Sequence, residues 1–298
     1  MAKARQIIKR RKAVTNIRKI TKTMQLIATA RFQQAYNRAT ATKPYTRKIT
    51  QLVGELSQAS GEQIEHPLMK THEEAGRDIV LVLSSNRGLC GGYNAAVLRR
   101  AIAHLTRQTE RENELHVVGK KGIAYFKFLR RKVEKGITSI DDRPRFEQVE
   151  PLATEFMQRF KDGDVANVFV VYTRFISTGR QKPEVLQLLP LGMEEDGPAA
   201  APDAATAPTG IGEVQYDFSP PPGELLKSLL PQSVKVRLYQ CFTDMAVSEQ
   251  VARMVAMKAA TDAATDMIKT LSQQYNRARQ SQITLELLDI VGGAEALK

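Results

Sequence analysis

Tryptophan is absent from this chain, and aromatic residues make up only 6% of it. Such poverty in large rings favours long helices over a β-sandwich. Two cysteines, Cys90 and Cys241, give neither a framework of paired bridges nor metal-ligand spacing. Both are expected to be reduced and structural. His66, His72, His104 and His116 form no i, i+4 pair around a carboxylate, so no metal site is expected. Apolar runs such as IVLVL (79–83) fall far short of the ~20 residues that cross a bilayer. No apolar core follows the first charges, so a secretory leader is not expected, and the lack of serine before Ser57 argues against a transit peptide.

Acid is also missing from the N-terminal fifth. Residues 1–57 hold fourteen Lys or Arg and one acid, Glu55, so this segment accounts for the net charge of +12. A basic arm of this kind meets nucleic acid, an anionic membrane or an acidic protein. With only Phe32, Tyr36 and Tyr45 as stacking rings, and an apolar seam that asks for a partner helix, nucleic acid is the weaker reading.

Helical patterns are abundant at both ends. Residues 3–58 read as one long helix whose seam is Ile17, Ile20, Met24 and Ile27, continued by Arg31 and Gln34. Pro44 is expected to kink it. From Glu224 to the C-terminus, interrupted by Pro231, a second seam runs through Met254, Met257, Thr261, Ala264, Ile268, Leu271, Tyr275, Ala278, Gln282 and Leu285. Every step is three or four residues, as in a coiled coil. Two such helices at opposite chain ends can pair antiparallel.

Between them the period changes. DIVLVLSS (78–85), LHVVGK (115–120), VANVFVVYTRF (165–175) and VLQLLPL (185–191) read as strands, the last at an edge because Pro190 cannot donate to a ladder. Residues 94–108, 121–131 and 150–163 read as helices. This alternation implies an α/β fold with a mainly parallel sheet. The chain therefore divides into an N-terminal coiled-coil helix (1–60), a small Rossmann-like α/β domain (77–191), a Pro/Ala-rich insertion and linker (192–223) and a C-terminal coiled-coil helix (224–298).

The loop SSNRGLCGGYN (84–94) follows a buried strand, where many proteins cradle a phosphate. A phosphate loop of the GxxxxGK type needs a lysine and a hydroxyl. After Gly88, Gly91 and Gly92 come Tyr93, Asn94 and Ala95, with no lysine before Lys120. A GxGxxG reading fails as well. The three glycines read as a tight strand-to-helix turn, with no cofactor, no metal and no catalytic residue. An enzyme using this domain remains the rival reading, with the loop as its support.

Three stretches are familiar together: NIRKITKTMQLIATAR (16–31), the loop SSNRGLCGGYN, and residues 248–297, where Ile283, Thr284, Glu286, Asp289, Gly293 and Ala294 stand at a signature spacing. On these the chain closely resembles the gamma-subunit family of F-type ATP synthases along nearly its whole length. Residues 192–223 depart from the family pattern in length and in Pro and Ala content. The resemblance implies a non-catalytic central stalk: an antiparallel coiled coil inside a ring of alpha and beta subunits, with the α/β domain near an epsilon-type subunit and the membrane rotor ring of c subunits. It implies one copy per complex, no nucleic acid, and a peripheral place on the cytoplasmic face of a bacterial plasma membrane. By the same resemblance Met24, Arg253, Gln280, Thr284 and Glu286 match contacts with the catalytic ring, and Tyr216 and Phe218 match an aromatic segment at the foot.

Overall fold

The computed structural model of the chain describes residues 2–59, 66–72, 75–108, 111–191 and 222–295. In chain order they form α1 (Ala2–Ala59), β1 (Arg77–Leu83), α2 (Tyr93–Arg107), β2 (Glu112–Val118), α3 (Lys120–Phe128), β3 (Lys135–Ile137), α4 (Phe146–Lys161), β4 (Asn167–Ser177), β5 (Arg180–Leu189) and α5 (Pro222–Glu295). Two compact units result. One joins Met1–Ala30 to Arg253–Lys298, and the other is Arg31–Ala252.

The larger unit is built on a five-stranded sheet of order β3-β2-β1-β4-β5. β1, β2, β3 and β4 are parallel, and β5 pairs antiparallel with β4 at one edge. Both faces are covered, which is why the central strand reads as an unbroken apolar run rather than an alternating one. Ile79, Leu81 and Leu83 of β1 face one side, packed with Val149, Phe156 and Phe160 of α4 and with Val234, Leu238, Phe242 and Met245 of α5. Val80 and Val82 face the other, against Val97, Leu98, Ala101 and Leu105 of α2 and Phe126 of α3. The first part of α5 is thus a layer of this sandwich.

Several local expectations are corrected. β3 is a three-residue strand with no periodic signal of its own. β5 begins at Arg180, because Thr178 and Gly179 close a two-residue hairpin from β4. Pro44 and Pro231 lie inside α1 and α5, both of which continue past them. A proline inside a helix costs about 3 kcal/mol. Around Pro231 the adjoining Leu230 is buried against Met69, Leu191, Leu225 and Leu229, which offsets that cost. Pro44 is exposed, so the carbonyl it leaves unpaired can bond water.

A partly shielded ion cluster joins β2 to α4. Arg159 donates to both carboxylate oxygens of Glu114 (Nη1 to Oε1 2.7 Å, Nη2 to Oε2 2.8 Å) and from Nε to Asp164 at 2.7 Å. His116 Nε2 lies 2.7 Å from Glu114 Oε1. The Arg159 hydrogen bonds, outweighing desolvation, pull the Glu114 carboxyl down from 4.5 to about 2. A depressed folded-state pKa contributes stability above the unfolded value that is lost as pH falls through the folded one. Glu114→Gln is therefore expected to cost about 2 kcal/mol at pH 7, after allowance for solvent screening. The loss should shrink between pH 4.5 and 2, as chemical denaturation across that range would show.

In the smaller unit α1 and α5 run antiparallel. Thr261 Oγ1 donates to Thr21 Oγ1 at 2.8 Å. Val14 packs with Ala264 and Leu271, joined by Ile7 and Ile268, and the Arg11 guanidinium lies 5.7 Å above the Tyr275 ring. Paired positions thus fall in α1 as they rise in α5. The α5 seam follows the expected residues, with Met257, Ala264 and Leu271 buried and Met254, Thr261, Ile268, Tyr275, Ala278 and Gln282 half-buried. It stops short of Leu285, which is 61% exposed.

The α1 seam is displaced from its expected register. Ile17, Ile20 and Ile27 are exposed, while Val14 and Ala28 are buried and Ile7, Arg11, Arg18, Thr21 and Gln25 are half-buried. Ile7 and Val14 share the side toward the paired helix with small and polar residues, and Ile17, Ile20 and Ile27 point away. A pattern search that weighs hydrophobicity picks the outward stripe, whereas close helix approach selects small side chains.

Candidate functional site

The glycine loop comes first, because its setting decides whether it can hold a phosphate. Ser84, Ser85 and Asn86 leave β1 and meet the start of α3. Asn86 Oδ1 accepts from Lys120 N (3.1 Å), Ser85 O from Lys121 N (3.1 Å) and Ser84 Oγ from Gly122 N (2.9 Å). Ser84 Oγ also donates to Val118 O at 2.6 Å. These are the backbone donors that a helix N-terminus offers to an anion, and here the chain's own residues occupy them.

Within the loop, Asn94 Oδ1 accepts from Ser85 N at 3.1 Å and Asn94 Nδ2 donates to Cys90 Sγ at 3.2 Å. Cys90 is buried. The turn needs two left-handed residues, Leu89 (φ 63°) and Gly91 (φ 55°). Gly92 caps the start of α2 in ordinary backbone geometry (φ −81°), and the open side of Gly88 faces the Lys121 side chain. Of the three glycines, Gly91 is the one whose conformation favours glycine. Sequence reasoning missed Gly119, at φ 95°, where a Cβ would stand 2.2 Å from Ser84 O. Its visible signal is a glycine at the end of the second strand, in VVGKKG. Among the described residues no group of three or more His, Cys, Asp or Glu could hold a metal ion.

The paired helices offer a different kind of site, a surface for partners. Residues 1–30 hold nine cations and no acid. Outward along α1 stand Ile17, Ile20, Leu26 and Ile27, with Lys19 and Lys22 exposed between them. Met24 is half-buried on the same helix. On α5, Gln280, Thr284 and Glu286 are exposed within two successive turns. Thr284 Oγ1 donates to Gln280 O at 3.0 Å, and Gln282 Nε2 donates to Glu286 Oε1 at 2.8 Å. Gln280 and Thr284 share a face of α5, whereas Glu286, about 200° round the helix from Thr284, pairs with Gln282 on another. Arg253 stands apart, about 40 Å away at 1.5 Å per residue, and is only 7% exposed. Tyr216 and Phe218, like most of 192–223, lie outside the described residues.

Beyond the seam, Ile283, Leu285, Leu287, Leu288, Ile290 and Val291 are all exposed. A helix end with this much exposed aliphatic surface, broken only by Thr284, Glu286 and Asp289, calls for a partner's surface. The sequence signal was the density of aliphatic residues in ITLELLDIV, which heptad reading absorbs only in part.

Comparison with known proteins agrees with a partner-binding helix pair. A family model described as ATP synthase matches residues 3–297. The ATP synthase gamma chain of Rhodopirellula baltica is 46% identical over 302 residues, spanning 100% of both chains. That of Leptospira biflexa is 40% identical over 299 residues, again 100% of both. Among solved structures, a chain of the Euglena gracilis mitochondrial ATP synthase superposes with a TM-score of 0.66 at 18% identity, covering 99% of this chain and 95% of that one. At such identity the superposition speaks for the fold: paired terminal helices with an inserted α/β body. Sequence relatives of this closeness and full length decide the family, and the chain belongs to the ATP synthase gamma chains, non-catalytic members of that enzyme.

Proposed function

We propose that the chain is the rotating central stalk of an F-type ATP synthase, coupling ion-driven rotation of a membrane ring to nucleotide turnover in a ring of alpha and beta subunits. The observation that carries this reading is the apolar surface that the helix pair leaves uncovered. Ile7 and Val14 of α1 pack against α5, yet Ile17, Ile20, Leu26 and Ile27 stand exposed on α1, as do large aliphatics along 283–291 of α5. Such a pair is finished only inside another protein's surface. Its cations attract acidic partner loops over distance without fixing one register, which suits contacts that must slip. Each orientation of the shaft biases beta subunits among conformations, and only differential contact can do that.

In this reading Met24, Arg253, Gln280, Thr284 and Glu286 touch the catalytic ring, Arg253 with the small part of its side chain that is exposed. Tyr216 and Phe218 are assigned to the foot on the resemblance. An epsilon-type subunit and the c-subunit ring are the partners of the α/β body, with one copy of the chain per complex. The complex sits on the cytoplasmic face of a bacterial plasma membrane, and no described helix of this chain is long and apolar enough to cross one.

Replacing Gln280, Thr284 and Glu286 together with alanine tests the contact assignment. All three are exposed, so the isolated chain should lose no more than about 0.5 kcal/mol of stability per site. In the assembled complex, where lost polar contacts cost ~1–3 kcal/mol each when buried, ATP turnover and acidification of inverted vesicles should fall together at least tenfold. Normal turnover in a fully assembled triple variant would remove these residues from the interface.

A further inference from the structure

Within the larger unit the two helices are held unequally. α5 is embedded: every residue from 241 to 250 is buried, and Val234, Leu238, Phe242 and Met245 belong to the main core. α1 meets this unit through small side chains, Ala35 and Ala39, packed with Val247, Val251 and Phe175. Its lateral contacts include two of distinct chemistry. Phe175, near the end of β4, lies 6.3 Å from the Phe32 ring and 5.9 Å from the Tyr36 ring. In the segment between β3 and α4, Asp142 Oδ2 accepts from Arg31 Nη1 at 2.5 Å and from Gln250 Nε2 at 2.9 Å. One carboxylate oxygen thus ties α1 to α5, where Arg31 is the first residue of the unit and Gln250 is two from its last.

The segment bearing Asp142 is itself fixed. Asn86 Nδ2 donates to Thr138 O (3.2 Å), Ile140 O (3.1 Å) and Asp141 Oδ1 (3.1 Å). On the other side, Tyr239 of α5 stacks edge-on against Phe146, with ring centroids 5.7 Å apart. The polar loop after β1, having no free donors for a phosphate at α3, therefore acts as the mount for Asp142.

We propose that Asp142 and Phe175 are clasps that hold α1 against twist, with Asn86 as the positioning residue of the first. The proposal rests on the stalk reading above. Torsion in a two-helix shaft shears one helix along the other. For α5 the load passes into the core of the α/β body. For α1, whose buried side chains here are alanines among the described residues, it passes into an ion pair and an aromatic contact. Losing the clasps should leave unloaded rotation intact and weaken rotation against a gradient.

The test uses the assembled complex in inverted membrane vesicles, with hydrolysis measured in the presence of uncoupler and the steady proton gradient measured without it. Asp142→Asn keeps shape and removes charge. It should retain uncoupled hydrolysis within twofold, while the sustained gradient falls at least threefold. Adding Phe175→Ala should lower the gradient further. Exchanging the pair, Arg31→Asp with Asp142→Arg, should restore more than half of it, since the opposite charges face each other again across the same contact. Asn86→Ala should reproduce Asp142→Asn. An unchanged gradient in Asp142→Asn and in the double variant would overturn the clasp. So would a parallel fall of hydrolysis and gradient, or a complex that no longer assembles even with the exchanged pair, because the contacts would then serve folding alone. A chain absent from the purified native complex would instead overturn the stalk reading and leave the clasp as a feature of the fold.

Discussion

Gly119→Ala is expected to lower the stability of the α/β body by about 3–5 kcal/mol, the sum of backbone strain and overpacking. Two independent terms act at this residue. Its φ of 95° is one that side-chain-bearing residues rarely adopt, and its Cβ would stand 2.2 Å from Ser84 O and 2.6 Å from Ser84 C. Both neighbours are backbone atoms at the end of a central strand, so neither can swing aside. Relieving the contact would also pull Ser84 from its bonds to Val118 O and Gly122 N. Chemical denaturation of the full chain would measure the loss. Gly92→Ala is the control: nothing lies within 4 Å of its Cβ and its φ is ordinary, so it should cost under about 1 kcal/mol.

Leu271→Asp should be as damaging to the other unit. Leu271 is 5% exposed and packs with Val14 and Ala264. Its replacement removes a buried side chain, at about 2–5 kcal/mol, and brings an unpaired carboxylate into the gap. Single helices are marginal in water, so α1 and α5 should fray together there and lose helical circular dichroism. The same change at Leu285, exposed and beyond the seam, should leave helicity in place. Equal losses at both positions would mean that the helix contact extends past Gln282.

How far the sequence discloses this molecule varies with the physical signal. β1 is legible because a strand covered on both faces must be apolar throughout. The α5 seam is legible because it holds residues large enough to mark a period, among them Met257, Ile268 and Leu271. The α1 seam is not, since its inner face mixes Ile7 and Val14 with Thr21 and Ala28, and the eye follows the larger Ile17, Ile20 and Ile27 outward. β3 and the Asp142 contact depend on tertiary pairing: Arg31 and Asp142 are 111 residues apart, and no local period announces them. For the loop, the missing lysine after Gly92 speaks against phosphate chemistry, but only the structure reveals what the polar residues do instead.

The most direct measurement of the central claim is rotation itself. The catalytic ring of the purified complex would be fixed to a surface, and a probe attached to the α/β body of this chain through a cysteine placed at Ala124, an exposed position on α3. On addition of ATP, the account predicts that the probe turns in one direction through repeated full revolutions, at a rate proportional to hydrolysis. A probe that stays fixed or swings back and forth while the complex hydrolyses ATP at its normal rate would contradict it.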